Sequence, residues 1–176
     1  MSEDLFKGPA TRPEQWQQSA HLARATWIEP TQLCPPGQRL VVVAPHPDDE
    51  ILACGGLLAS FRGREQDLLL ISVTDGEASH PGSDHWTEHR LRRQRPQESR
   101  NALIRLGLDV QALDWQRLAL KDSAVAREEA YLVNHLGNLL RAGDQLLCTW
   151  RGDGHSDHEA VGRACAQAAQ ARGCLL

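Results

Sequence analysis

At 176 residues the chain is long enough for one domain with a single core. Its 19 Lys plus Arg against 23 Asp plus Glu leave a formal charge of -4, which gives no global attraction to nucleic acid or to an anionic membrane surface. No run approaches the ~20 apolar residues of a bilayer crossing, and the opening MSEDLFKGPATRPEQ has no signal-peptide-like apolar centre, so the expectation is a cytoplasmic protein with a small-molecule ligand.

Residues 1–38 carry prolines at 9, 13, 30, 35 and 36 around one polar helical stretch, 14–26, and read as an N-terminal arm ahead of a domain over 39–176. From there short apolar runs alternate with longer stretches of helical period. LVVVAP (40–45), LLLISVT (68–74), ALDWQ (112–116) and QLLCTW (145–150) read as strands. Residues 51–64, 88–106, 124–141 and 157–172 read as helices. The first, second and last strands are apolar throughout, which implies burial on both faces. Strands alternating with helices in this way specify an α/β fold with a mostly parallel sheet covered on both sides. The closing GCLL reads as the opening of a further strand.

Open sheets of this class bind ligands beyond the carboxyl ends of their strands, so the polar residues just after each strand are the ones to read. Pro45-His46-Pro47-Asp48-Asp49-Glu50 follows the first strand, and Gly152-Asp153-Gly154-His155-Ser156-Asp157-His158-Glu159 follows the last. Two histidines, one carboxylate and an open position form a common catalytic zinc shell, and His46, Asp49 and His158 can supply it. Prolines on both sides of His46 restrict the loop that must turn His46 and Asp49 toward one point. Asp48 is then free to act as general base on a zinc-bound water, whose pKa falls to about 7. With Asp157 as cap of the last helix, His158 stands in its first turn. His155, one turn earlier, is placed to stabilise an oxyanion, to protonate the leaving amine, or both, as an imidazolium held by Asp157 or Asp153. The alternative for each cluster alone is a set of helix caps and dipole partners. Two clusters at one edge of one sheet argue for a shared ion.

A-P-H-P-D-D-E closing a strand, T-D-G-E closing the next and D-G-H-S-D-H-E opening a late helix resemble the PIG-L/LmbE-like deacetylases, over residues 40–176. The resemblance implies a Rossmann-like three-layer fold, here without its C-terminal strand or strands, and a zinc-dependent removal of an N-acyl group, typically acetyl, from an amino sugar or sugar conjugate. It implies metal ligation by His46, Asp49 and His158, base action by Asp48, and oxyanion stabilisation or acid action by His155 with Asp157 as its partner. Ser156 stands where the family usually has proline, which affects loop stiffness and removes no ligand. Arg95 and Glu98 in R-P-Q-E-S-R match a family R-x-x-E pattern, so Arg95 is expected to hold a substrate hydroxyl or phosphate, with a solvated basic helix face as the alternative. Asp122 resembles a family pocket aspartate and is expected to bind substrate. Asp75 and Glu77 either orient a ligand histidine or simply shape a turn. A homo-oligomer that covers the exposed sheet edge is a further expectation.

Two other functions fit the same residues. Two histidines and a carboxylate also form the facial triad of Fe2+ oxygenases, so Fe2+ is the alternative ion. A non-catalytic metal- or sugar-binding module needs no base or acid beside the metal, and Asp48 and His155 argue against it. The absence of G-x-S-x-G, G-x-G-x-x-G and G-x-x-x-x-G-K removes a serine nucleophile and a nucleotide cofactor. The five cysteines are scattered, with no C-x-x-C spacing, and indicate neither a disulfide framework nor a cysteine zinc site. His80, His85 and His89 lie in one loop that reads as a solvated lid.

Overall fold

A computed structural model describes residues 11–176. The first ten residues of the expected N-terminal arm lie outside the described residues. The rest of that arm carries three short helices, α1 (Pro13–Gln17), α2 (Ala20–Ala23) and α3 (Pro30–Leu33). The single polar helix expected over 14–26 is therefore interrupted, and Ser19 starts the second piece by accepting the Leu22 N–H on its side chain.

Four strands, β1 (Leu40–Ala44), β2 (Leu68–Thr74), β3 (Asp114–Leu120) and β4 (Gln145–Cys148), form one sheet in the order β3-β2-β1-β4. All three pairings are parallel. Between them run α4 (Asp49–Ala59), α5 (Glu88–Arg105) and α6 (Glu129–Leu139), and α7 (Ser156–Arg172) follows β4. The buried side chains of β1 alternate between two cores. Val41 and Val43 join Leu132, Leu136 and the alanines of α7 on one face. Leu40 and Val42 join Leu58 of α4, Phe61 just beyond that helix and Leu103 of α5 on the other. Each such Leu or Phe stabilises the fold by ~1.5–3 kcal/mol relative to exposure. The result is the expected α/β, Rossmann-like three-layer arrangement, and it explains why β1 and β2 read as largely apolar runs.

Several boundaries differ from the sequence expectation. α4 begins at Asp49, where two acidic residues face the helix dipole, and stops at Ala59. β3 runs on to Leu120, because it is an edge strand whose side chains alternate in exposure and carry no continuous apolar signal. Residues 125–128 make a 3-10 turn before α6. The expected fifth strand is a single parallel bridge, Gln145 to Leu175, on the outer side of β4. Among the described residues no helix is long and apolar enough to cross a membrane.

The strand order fixes where a site can form. The chain builds outward from β1 through β2 to β3, then crosses back to lay β4 on the other side of β1. The loops after β1 and β4 consequently diverge from a common crevice, the place where such sheets bind ligands. Two features hold β4 there. Arg39 grips Asp144 with two bonds of 3.1 and 2.6 Å at the opposite end of the strands. Gly162 lets α7 approach closely, since a Cβ there would lie 2.7 Å from the Thr149 carbonyl oxygen.

Candidate metal centre

The loop after β1 is shaped before any side chain reaches the crevice. Thr74, at the end of β2, bonds the Pro45 carbonyl through both its N–H (3.0 Å) and its hydroxyl (2.8 Å). Asp49 Oδ2 then accepts the His46 N–H at 2.9 Å, folding the two side chains to the same side. From the other loop, Thr149 Oγ1 donates to the His158 carbonyl at 2.9 Å and ties the first turn of α7 to the end of β4.

These restraints bring His46, Asp49 and His158 together. His46 Nδ1 lies 3.2 Å from His158 Nε2 and 3.4 Å from Asp49 Oδ2, and His158 Nε2 lies 3.5 Å from Asp49 Oδ2. Three donors on a tetrahedral ion with bonds of ~2.0–2.2 Å stand ~3.3–3.6 Å apart. The triangle therefore fits such an ion. The side chains of Asp49 and His158 are 19 % and 18 % exposed, which leaves a solvent approach to the centre.

The far ring nitrogens are also partnered. His46 Nε2 faces Asp157 Oδ2 at 3.2 Å and Asp122 Oδ1 at 3.3 Å, and His158 Nδ1 faces Asp153 Oδ2 at 2.9 Å. A carboxylate behind an imidazole keeps the proton on the far nitrogen and leaves the near one as a lone pair. His46, Asp122 and Asp157 form a second cluster with close donor atoms, as do His46, His155 and His158. The Asp122–Asp157 side offers an ion no open position. Asp157 is fully buried and already accepts the Ser123 N–H (2.7 Å) and the Val125 N–H (3.1 Å), while Asp122 accepts the Ala78 N–H (2.8 Å).

Here the structure differs from the sequence expectation for Asp157, Asp153 and Asp122. Asp157 was expected to cap α7 and to hold His155 by its carboxylate. Instead His155 is the cap, its Nδ1 accepting the Asp157 N–H at 3.2 Å, and the Asp157 carboxylate turns inward to His46. The reason is helical phase, for Asp157 shares the buried face of α7 with Ala160, Val161 and Ala164. Asp153 goes to His158 rather than to His155. Asp122, expected to meet substrate, is buried against His46 and the loop after β2.

Electrostatics follow from this crowding of carboxylates. Burial works against a charged His46 ring, but hydrogen bonds that it donates to Asp122, Asp157 and Asp49 overcome it and push its pKa up to about 11. A proton sits where the acids require positive charge, which is the same demand a cation satisfies. The Asp122 carboxyl falls to about 2, the cost of burial being exceeded by His46 and the Ala78 N–H. Burial, then the charges of His46 and His158, push the His155 pKa down. Because its Nδ1 accepts an N–H, the neutral ring carries its proton on Nε2. Burial raises Asp48 against the lowering effect of Arg95, with Asp49 adding to the rise.

The His46 shift predicts a pH dependence for the ion-free protein. A pKa raised above its ordinary 6.5 stabilises the fold fully below 6.5, and that contribution is lost as pH climbs toward about 11. The urea midpoint of the ion-free protein minus that of His46→Gln should therefore shrink from pH 6.5 upward. A difference that stays constant or grows removes the charged His46.

Of the remaining residues, Asp48 is half-exposed beside the triangle and meets Arg95 at 3.1 Å. Its φ of 137° lies in a region that costs a residue with a Cβ about 1–3 kcal/mol. Arg95, expected on substrate, donates to the carbonyls of Pro47 (2.8 Å) and Gly76 (2.9 Å) as well as to Asp48. Glu50 is buried and accepts the Asp48 N–H at 3.2 Å, a role the sequence did not signal. Neither Asp75 nor Glu77 reaches a histidine. Asp75 pairs with Arg117, and Glu77 takes Arg92 and the Asp122 N–H. His80 and His85 stay exposed beside Trp86, over which Arg90 stacks at 4.3 Å.

The sequence profile of the PIG-L family, described as GlcNAc-PI de-N-acetylase, matches residues 41–169, from β1 through most of α7. A 1D-myo-inositol 2-acetamido-2-deoxy-alpha-D-glucopyranoside deacetylase of Mycobacteroides abscessus is 27 % identical over 143 residues, 69 % of this chain and 51 % of that protein. The chain thus spans about half the length of this curated relative. Among solved structures, a conserved protein of Thermus thermophilus aligns with a TM-score of 0.55 at 29 % identity, over 76 % of this chain and 56 % of its own. N,N'-diacetylchitobiose deacetylase from Pyrococcus horikoshii aligns with a TM-score of 0.62 at 18 % identity, over 94 % and 61 %, a likeness of fold alone. With the profile covering most of the sheet and both loops of the centre, the chain belongs to the PIG-L family.

Proposed function

We propose that the protein is a metal-dependent N-deacetylase that removes an acetyl group from an amino sugar or amino-sugar conjugate. The observation that carries this reading is the triangle of His46 Nδ1, Asp49 Oδ2 and His158 Nε2, with edges of 3.2–3.5 Å, beside an acidic side chain outside it. His46, Asp49 and His158 would hold Zn2+, with Fe2+ as the alternative. When bound, such an ion polarises the amide carbonyl and acidifies a coordinated water.

The chain's own groups divide the remaining work. Asp48 withdraws the proton from the attacking water, and its raised pKa brings it nearer to the working range of a general base. His155, neutral and protonated on Nε2, donates a hydrogen bond to the oxygen that gains charge as the carbonyl carbon becomes tetrahedral. A neutral ring is a weak source of the final proton, so Asp48 returns the proton it took as the C–N bond breaks. The products are the free amine and acetate. This replaces the imidazolium expected from sequence, since a dication nearby lowers the His155 pKa still further.

The test is a panel of N-acetyl sugars and conjugates assayed for free amine, with zinc stripped and restored under anaerobic conditions. Amine release that depends on the ion and not on oxygen is expected. Turnover that requires oxygen would assign the same donors to an oxygenase, and an inert ion-loaded protein would leave a binding module.

A further inference from the structure

Asp48 stands in a backbone conformation that an aspartate does not hold unaided, with φ of 137° and ψ of -29°. Its neighbours form a closed frame around it. Thr74 Oγ1 donates to the Pro45 carbonyl and accepts the Gly76 N–H. Arg95, whose side chain is 15 % exposed, reaches across from α5 and donates from Nη1 to the Gly76 carbonyl, and from Nη2 to the Pro47 carbonyl and to Asp48 Oδ2. The planar fork of a guanidinium suits this, because one group must satisfy three acceptors from two loops at fixed angles.

Gly76 is the seat of that fork. It has φ of +69°, and a Cβ there would come 1.9 Å from Arg95 Nη1 and 2.5 Å from Cζ. The loop after β2 has thus given up a side chain at the place where the guanidinium lies.

We propose that Arg95, seated on Gly76, is a positioning residue that locks the Pro47–Asp48 peptide and one carboxylate oxygen, keeping the base aimed beside the His46–Asp49–His158 triangle. The proposal rests on the base role given to Asp48 above. It makes Arg95 act on kcat through Asp48, whereas a substrate-binding arginine acts on KM. Misplacement by ~1 Å at a reacting group costs about 100-fold in rate.

The experiment compares wild type, Arg95→Met, Arg95→Lys and Gly76→Ala, each loaded with zinc, on a substrate found in the panel. Arg95→Met is expected to lose about 100-fold in kcat with KM and zinc content unchanged, and added guanidinium ion to restore part of the loss. Arg95→Lys keeps charge and bulk, so it should fold as wild type does and still fail to recover kcat. Gly76→Ala should fall in the same direction by displacing the fork. A crystal structure of Arg95→Met supplies a readout that needs no activity, with Asp48 expected to leave φ near 137°. A raised KM with unchanged kcat, or an Asp48 backbone that stays in place without Arg95, overturns the proposal. A wild type inert on every amide counts against the proposed function alone, and the variant crystal structure then decides the positioning role by itself.

Discussion

Asp48→Asn is expected to lower kcat by ~10²–10⁴-fold while leaving the bound ion in place. Asn keeps an oxygen to accept from Arg95, and it tolerates positive φ better than most residues with a Cβ, so the loop has no reason to move. What disappears is the ability to take a proton. The measurement is turnover on the most active amide of the panel together with zinc content by elemental analysis. Equal loss of metal and activity would make Asp48 a ligand, and full activity would make some other group the base. Because Asn mimics the folded geometry, this variant separates chemistry from architecture better than alanine does.

The second large effect is expected at a residue that touches neither ion nor solvent. In Asp157→Ala two peptide donors, Ser123 N–H and the buried Val125 N–H, lose their acceptor, and His46 loses one of the acids behind its ring. An unsatisfied buried donor costs about 1–3 kcal/mol, which applies in full to the Val125 N–H, whereas the exposed Ser123 can turn its N–H to water. Domains of this size are stable by only ~5–15 kcal/mol. Zinc affinity should fall in parallel by ~10–100-fold, the usual effect of removing the partner behind a ligand histidine. Urea unfolding of the ion-free protein and a competitive zinc titration measure the two separately. Unchanged values in both would make the contacts of Asp157 energetically idle.

Much of the fold was legible because it depends on local and near-local patterns. Parallel strands buried on both faces must be mainly apolar; β1 is apolar throughout, and β2 departs from this only at Ser72 and Thr74. That His46, Asp49 and His158 would meet was legible for a related reason. Each ends a strand or opens a helix, where sheet topology alone directs ligands. The orientation of the carboxylates was not legible in the same way. Asp157 and Asp153 sit beside His155 in sequence, yet Asp153 pairs with His158, and Asp157 is turned inward by helix phase and by peptide N–H groups 34 and 32 residues away. Main-chain donors leave no mark in a side-chain pattern. The burial phase of α7 was nevertheless available, since Asp157 is three and four residues before Ala160 and Val161. Arg95 illustrates the opposite problem. Its match to a family R-x-x-E pattern suggested a substrate contact, whereas the guanidinium is occupied by the Gly76 and Pro47 carbonyls and Asp48, on a glycine that leaves it room.

The crossover that sets β4 against the free side of β1 has a kinetic consequence. His46 and His158 are 112 positions apart, and no subset of the first three strands contains both. A nascent chain that has folded only as far as β3 therefore lacks one of the three donors of the candidate centre, however well formed its sheet. The triangle is complete only once β4 and the first turn of α7 have docked, and a divalent cation bound there would act as a staple across the 112 positions that separate the two histidines.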